Sequence, residues 1–436
     1  MKEFDAIIGY AEIKRELEQT ADILRNIEAY KAAGAKLPSG LLIHGEPGLG
    51  KSLMAECLIA ASGLRSFTVR KDKSNGDFVD FLKATFDQAA EAAPSIVYLD
   101  DMDKFANTDG GHKNAEEYVA VQSCIDAVKG KDVFVLATTN SFGCLPDSLL
   151  RAGRFDRKIF VYTPTGDDAD GIIRRFLTGK PLANDIIWKD VVMLMSNCSC
   201  AQLESTLNEA LIISISKKES LISRDSFMEA YFKTRVMPTS GGGFSNGVTA
   251  SERRQFAIHE AGHAAVYEIV LGGVIALMTI FKGSANDGGI CHYCRPADCS
   301  NEDWSEVQVL GGLGGRAASE LFFGVPDRGS SKDLMQVTRI LNGDIESGAI
   351  PGSPLAKMLP GRGSEDYKHR IERVAETEMA KRYQLVKEIL TANREFVEKL
   401  ADAIAISEYL VASDIQEIRE ACGIVKLPHW HRQLIG

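Results

Sequence analysis

No stretch of this chain is long and apolar enough to span a bilayer. The longest apolar run, between Glu268 and Lys282, is 13 residues, where about 20 are needed. It contains Gly272 and Gly273, so it reads as two buried elements joined by a turn. The N-terminus has no apolar leader, because Lys2, Glu3 and Asp5 break it up, which argues against a secretory signal. Disulfide patterning is missing too. Nine cysteines, an odd number, are scattered over 436 residues, which excludes a small disulfide scaffold and suggests a reducing compartment. Positive charge is in deficit: 50 Lys plus Arg stand against 60 Asp plus Glu, a net charge of -10. That balance disfavours a protein that wraps nucleic acid, since phosphate binding rests on clustered cations. These absences lead to the expectation of a cytoplasmic protein with no membrane anchor in this chain and no nucleic-acid partner.

What is present is ordinary globular material, 45% hydrophobic and 25% charged, in a length that suggests about three folding units. In the first third, short apolar runs at Leu41–His44, Ser66–Val69, Ser95–Leu99 and Asp132–Ala137 alternate with helical stretches at Ser52–Ser62 and Asp77–Ala93. That alternation predicts a parallel sheet covered by helices. From about Asp167 to Val236 the pattern turns helical, with apolar spacing clearest over Ala201–Lys218. A Gly/Ser-rich segment, Pro238 to Gly247, marks a linker. Beyond it the spacing predicts helices over Ser251–Ile269 and Ser305–Leu341, and one long charged helical stretch over Asp366–Ala403.

Two motifs carry chemistry. Gly45-Glu46-Pro47-Gly48-Leu49-Gly50-Lys51-Ser52 follows an apolar strand and opens a helix, the context that supports a P-loop. Its backbone N–H groups cradle phosphates, Lys51 adds a point charge and Ser52 a hydroxyl for Mg²⁺. Asp100, ending the strand Ser95–Leu99, is placed to hold Mg²⁺, and Asp101 beside it to orient the attacking water. The second motif is His259-Glu260-Ala261-Gly262-His263 in a helical pattern. Positions i and i+4 share a helix face, so two imidazoles can bind one Zn²⁺, with Glu260 beside them as proton acceptor for its water. Zinc needs a third protein ligand, for which Glu320 and Asp333 both stand at plausible distance.

Thr138-Thr139-Asn140 and Leu149-Leu150-Arg151-Ala152-Gly153-Arg154-Phe155-Asp156-Arg157 resemble the second region of homology of AAA+ ATPases. That resemblance implies Asn140 as the sensor of the γ-phosphate, and Arg151 and Arg154 as fingers reaching a neighbouring subunit's nucleotide, hence a homo-hexameric ring. Ile7-Ile8-Gly9-Tyr10 resembles the family's adenine contact, at Ile8 and Gly9. Together with the His-Glu-x-x-His helix and the stretch Gly314–Arg339, the chain resembles the FtsH family of ATP-dependent zinc proteases from about Glu3 to Cys422. This implies Asp333 as the third zinc ligand, with ATP, Mg²⁺ and Zn²⁺ as cofactors and proteins or peptides as substrates. The expected fold is an α/β P-loop AAA+ core over 1–166, a helical lid over 167–237, a linker over 238–250, a mainly α-helical zinc metallopeptidase domain over 251–425 and a tail over 426–436.

The chain departs from that family at several places. By that resemblance its first residues correspond to the start of the ATPase domain, and a chain without the family's transmembrane part is expected. Asp101 replaces a glutamate and is shorter by about 1.5 Å, so ATP is expected to bind but to turn over slowly. Where the family has an aromatic pore loop, Val69-Arg70-Lys71-Asp72-Lys73-Ser74-Asn75-Gly76 is short and charged, and the spacing of Phe78 and Phe81 reads as a buried helix face. Cys198 and Cys200 stand where the lid has glycines. Cys291, Cys294 and Cys299 lie where the family has a substrate-binding edge strand, and are expected to be free thiols. A second reading follows from these departures: a nucleotide-gated assembly or remodelling protein with weak ATP turnover and limited, non-processive proteolysis.

Overall fold

The computed structural model describes residues 2–72, 75–106, 115–180, 182–236, 249–280, 289–296, 298–327, 329–350, 352–353 and 364–426. Most of the expected linker and of the C-terminal tail lie outside them. The chain divides into two compact units, 1–181 with 195–222, and 182–194 with 223–436.

The first unit begins with α1 (Ala11–Arg25) and α2 (Ile27–Ala32), then β1 (Gly40–His44), α3 (Lys51–Ser62), β2 (Arg65–Val69), α4 (Asn75–Glu91), β3 (Ser95–Leu99), α5 (Ala115–Ala127), β4 (Val133–Thr139), β5 (Arg157–Phe160) and α6 (Gly166–Leu177). The five strands form one parallel sheet in the order β2-β3-β4-β1-β5. Strands β1, β3 and β4 are almost wholly buried because both faces are covered, so they read in sequence as unbroken apolar runs. Edge strand β5 runs Arg157-Lys158-Ile159-Phe160 with only Ile159 buried, and gives a weaker signal. The chain leaves β1 for the far side of the sheet and returns strand by strand. The crevice at the carboxyl ends of β1, β3 and β4 is therefore the switch point where such sheets take ligands. Phe78 is fully buried in the core beside Leu82 and Phe105, and Phe81 packs partly buried against it, as helix-face spacing predicts.

The helices between 167 and 237 are shared by the two units. α7 (Trp188–Leu194) and α9 (Arg224–Tyr231) belong to the second, and α8 (Cys200–Ser216) to the first. The second unit continues with α10 (Ala250–Val270), β6 (Ile275–Thr279), β7 (Ile290–Tyr293), α11 (Asn301–Phe323), α12 (Ser331–Ser347), α13 (Glu365–Ala392), α14 (Arg394–Ser407), β8 (Tyr409–Val411) and α15 (Ala412–Cys422). α10 starts from a capping box in which Thr249 and Glu252 each accept the other's backbone N–H. From Ala257 to Val270 every residue of α10 is buried. It crosses α11 where Gly262 faces Gly314, so closely that a Cβ on either would collide with the other's carbonyl oxygen.

Two features depart from expectation. The long charged helix breaks at Asn393, whose side chain donates to Ile389 O and Val425 O and accepts from Val425 N. A short polar side chain bonding to backbone competes with helix continuation. The second unit also carries a three-stranded antiparallel sheet, β7-β6-β8, with a register shift between Ile275 and Leu277. β6 is fully buried and lacks the polar/apolar alternation that would have marked it as a strand.

Candidate functional site

Gly45 to Ser52 link β1 to α3 at the switch point. Gly45 has φ +150, and a Cβ there would strike Val161 O. Lys51, 5% exposed, donates to Gly45 O at 2.8 Å and Glu46 O at 2.6 Å, which holds its ammonium inside the loop. Burial pushes Lys51 below its usual range, opposed by Asp101 and Asp103. Asp100, 3% exposed, receives Tyr98 Oη at 2.7 Å and Thr138 Oγ1 at 3.0 Å, with Ser52 Oγ at 3.5 Å. Burial raises the Asp100 carboxyl, but donation from Tyr98, Arg70 and Thr138 outweighs it and leaves it below the usual carboxylate range. Ser52 and Asp100 together form an all-oxygen donor pair, the hard set that Mg²⁺ prefers, and they fit that ion.

Asp101 accepts from Asn140 Nδ2 at 3.1 Å and from Lys104 Nζ at 2.6 Å. Asn140 is held in turn by its backbone N–H on Asp103 Oδ1 at 2.9 Å. The structure thus gathers Lys51, Ser52, Asp100, Asp101 and Asn140 at one sheet end. Ile8 lines a cavity of about 310 Å³ with Ile7, Tyr10, Leu49, Met54 and Cys200, a largely apolar pocket beside the P-loop. Gly9 has φ +69 and lies so close to Asp168 that a Cβ would sit 2.7 Å from Oδ1. The two arginines differ. Arg151 is exposed, whereas Arg154 forks onto Asp126 at 3.1 and 2.7 Å and donates to Ser148 O. Asp126, unmarked by any sequence signal, is the group that holds Arg154.

The candidate metal centre stands on α10, α11 and α12. His259 Nε2 and His263 Nε2 are 3.0 Å apart, and Asp333 Oδ2 lies 3.3 Å from the first and 3.6 Å from the second. Tetrahedral zinc with ligands at 2.0–2.1 Å requires ligand atoms about 3.3 Å apart, so the three fit one Zn²⁺. They are the only such metal-holding group among the described residues. Cys291, Cys294 and Cys299 form no disulfide among the described residues and lie outside it. Gly315 leaves the space, since a Cβ there would lie 2.5 Å from His263 Nε2 and 2.6 Å from His259 Nε2.

The opposite ring nitrogens are anchored, His259 Nδ1 on Asp327 Oδ2 at 2.6 Å and His263 Nδ1 on Gly311 O at 2.7 Å. Asp327 is held by Ser319 Oγ at 3.0 Å and by Ser330. Sequence reasoning missed Asp327. The available signal was a second carboxylate six positions before Asp333, in a Gly/Ser-rich turn. Glu320 is not part of the cluster; it accepts from Tyr383 Oη at 2.6 Å and Lys387 Nζ at 2.9 Å. Glu260 is 6% exposed, and burial pushes its carboxyl above the usual range against the pull of His259 and His263. Gly289, at the start of β7, lies against it: a Cβ there would be 2.6 Å from Glu260 Oε1.

Known proteins match in the same order. The model of the ATPase family associated with various cellular activities (AAA) matches residues 41–163, and that of peptidase family M41 matches 246–348. Similar curated proteins named ATP-dependent zinc metalloprotease FtsH include one from Ureaplasma parvum, 28% identical over 96% of this chain and 60% of the relative. Others come from Streptococcus pneumoniae, 28% identical over 96% and 67%, and Mycoplasma pneumoniae, 28% over 96% and 62%. The chain thus spans about three fifths to two thirds of the length of these relatives. No helix among the described residues is long and apolar enough to cross a membrane. With a P-loop sheet followed by a His-His-Asp cluster, and relatives aligned across both, the chain belongs to the FtsH family.

Proposed function

We propose that the chain is the ATPase and peptidase core of an ATP-dependent zinc metalloendopeptidase that degrades protein substrates as a homo-hexameric ring. The observation that carries this is the convergence of His259 Nε2, His263 Nε2 and Asp333 Oδ2 on one point, with Glu260 on the same buried turn of α10. These three side chains would hold Zn²⁺, which supplies Lewis acidity toward water and a peptide carbonyl. Glu260 accepts a proton and returns it to the leaving amine; burial raises its proton affinity toward what a general base needs. Asp327 and Gly311 O fix which ring nitrogens face inward. Strand β7 is an edge of its sheet, and its start lies against Glu260, so a peptide added as a further strand lies along the proton acceptor.

In the first unit Lys51 and the P-loop amides bind the ATP phosphates, Ser52 and Asp100 would serve Mg²⁺, and Asp101, oriented by Asn140, positions the attacking water. Arg151, exposed, is the finger offered to a neighbouring subunit, while Arg154 is held by Asp126. The test is cleavage of an unfolded protein and of a folded, tagged one by the same sample. Wild type cleaves both in ATP, Lys51→Ala cleaves only the unfolded one, and ATP-independent degradation of the folded substrate would refute the coupling.

One observation favours the second reading, limited proteolysis under nucleotide gating. In the segment after β2, Lys71 Nζ lies 2.8 Å from Glu117 and Arg70 pairs with Asp100, so these side chains are tied to the ATPase core. A folded substrate left intact while ATP still modulates cleavage of flexible ones would select this reading.

A further inference from the structure

We propose that Arg70 is a built-in counter-cation at the Mg²⁺ carboxylate: its guanidinium and a nucleotide-bound Mg²⁺ compete for Asp100, so Arg70 sets the Mg²⁺ concentration at which the site loads. The inference rests on the reading of Asp100 as the carboxylate that serves Mg²⁺.

The two oxygens of Asp100 have different partners. Oδ1 receives neutral hydroxyls only, from Tyr98, Thr138 and, at 3.5 Å, Ser52. Oδ2 receives Arg70 through both Nε, at 2.9 Å, and Nη2. The neighbouring cations are engaged elsewhere, Lys51 on Gly45 O and Glu46 O and Lys104 on Asp101. Among the described residues, the buried charge of Asp100 is thus compensated by a single cation, Arg70, which follows β2. A second cation brought to the same carboxylate is repelled by the first. Arg70 is the one free to yield, because its side chain is 65% exposed against 4% for Asp100 and can swing into solvent while the carboxylate stays in place.

Two consequences follow from linkage. If Arg70 weakens Mg²⁺ binding by some factor, Mg²⁺ weakens the Arg70–Asp100 pair by the same factor. Loading the site therefore loosens the segment at Arg70, leaving the Lys71–Glu117 pair, 18% and 1% exposed, as its remaining ionic anchor among the described residues. Because Arg70 is mostly in solvent, the competition is also screened by salt.

The test is a Mg²⁺ titration of fluorescent ATP-analogue binding to the full chain, comparing wild type with Arg70→Ala and, should that variant fold poorly, Arg70→Gln. Equal analogue affinity at saturating Mg²⁺ certifies an intact site. The half-saturating Mg²⁺ concentration is expected to fall roughly 1.5- to fivefold in the variant at low ionic strength, the range for a partly exposed pair, and the gap to narrow in 1 M salt, where the Debye length is about 3 Å. Hydrogen exchange of the 68–72 backbone in wild type should rise when Mg²⁺ is added to bound analogue. An unchanged or increased Mg²⁺ requirement in the folded variant overturns the inference alone. Analogue binding that ignores Mg²⁺ in wild type overturns the Asp100 reading and the inference with it.

Discussion

His259 donates from Nδ1 to Asp327 Oδ2 at 2.6 Å, and this bond turns Nε2 toward Asp333. The contact joins residues 68 positions apart and decides which tautomer of His259 can hold a metal. Asp327→Asn keeps the shape and weakens the acceptor. Zinc affinity should fall about 10- to 100-fold, read by competition with a chelating dye, with little change in secondary structure. Wild-type affinity in this variant would assign Asp327 a purely structural role.

Glu260 touches the cluster without belonging to it. Glu260→Gln should retain zinc while cleavage of an unfolded protein drops by about 10²–10⁴-fold, the usual worth of a positioned general base. Loss of zinc together with activity would mean that the side chain shapes the site rather than moves protons.

Gly315 supplies room. A methyl there would sit 2.5 Å from His263 Nε2, so Gly315→Ala should lower zinc content. Overpacking costs roughly 1–3 kcal/mol, which a thermal melt would register as a modest loss. Full zinc occupancy in Gly315→Ala would show that the ligands have slack the geometry does not suggest.

The apo centre should also respond to pH. Burial lowers the His259 imidazole, but Asp327 and Asp333 outweigh it and raise its pKa from 6.5 to about 10. A raised folded-state value gives stability that is fully present below about 6.5 and is lost as pH rises toward about 10. Melting of zinc-free protein should therefore weaken across that window. Zinc uptake should tighten with rising pH, because the metal displaces a proton. A flat zinc affinity from pH 6 to 9 would contradict this.

Much of both sites was legible because their signals are local. Gly45 to Ser52 sit between a strand and a helix in consecutive residues, and His259 and His263 are one turn apart on α10. Asp333 needed the family resemblance, since spacing left Glu320 equally open until Tyr383 and Lys387 were seen to occupy it. Asp327, Asp126 and the Arg70–Asp100 pair were not legible. Each acts through a partner 28 to 68 residues away, which only the fold brings close. The β6–β8 sheet was hidden for a different reason: β6 is buried on both faces and has no alternation to read.

The most direct test of the central claim is proteolysis and zinc content measured together on one purified sample in ATP, before and after chelation. The account predicts about one zinc per chain, protein cleavage that vanishes with the metal and returns on adding zinc, and no return in Glu260→Gln reloaded with zinc. Cleavage that persists in the metal-free protein, or that Glu260→Gln restores in full, would contradict it.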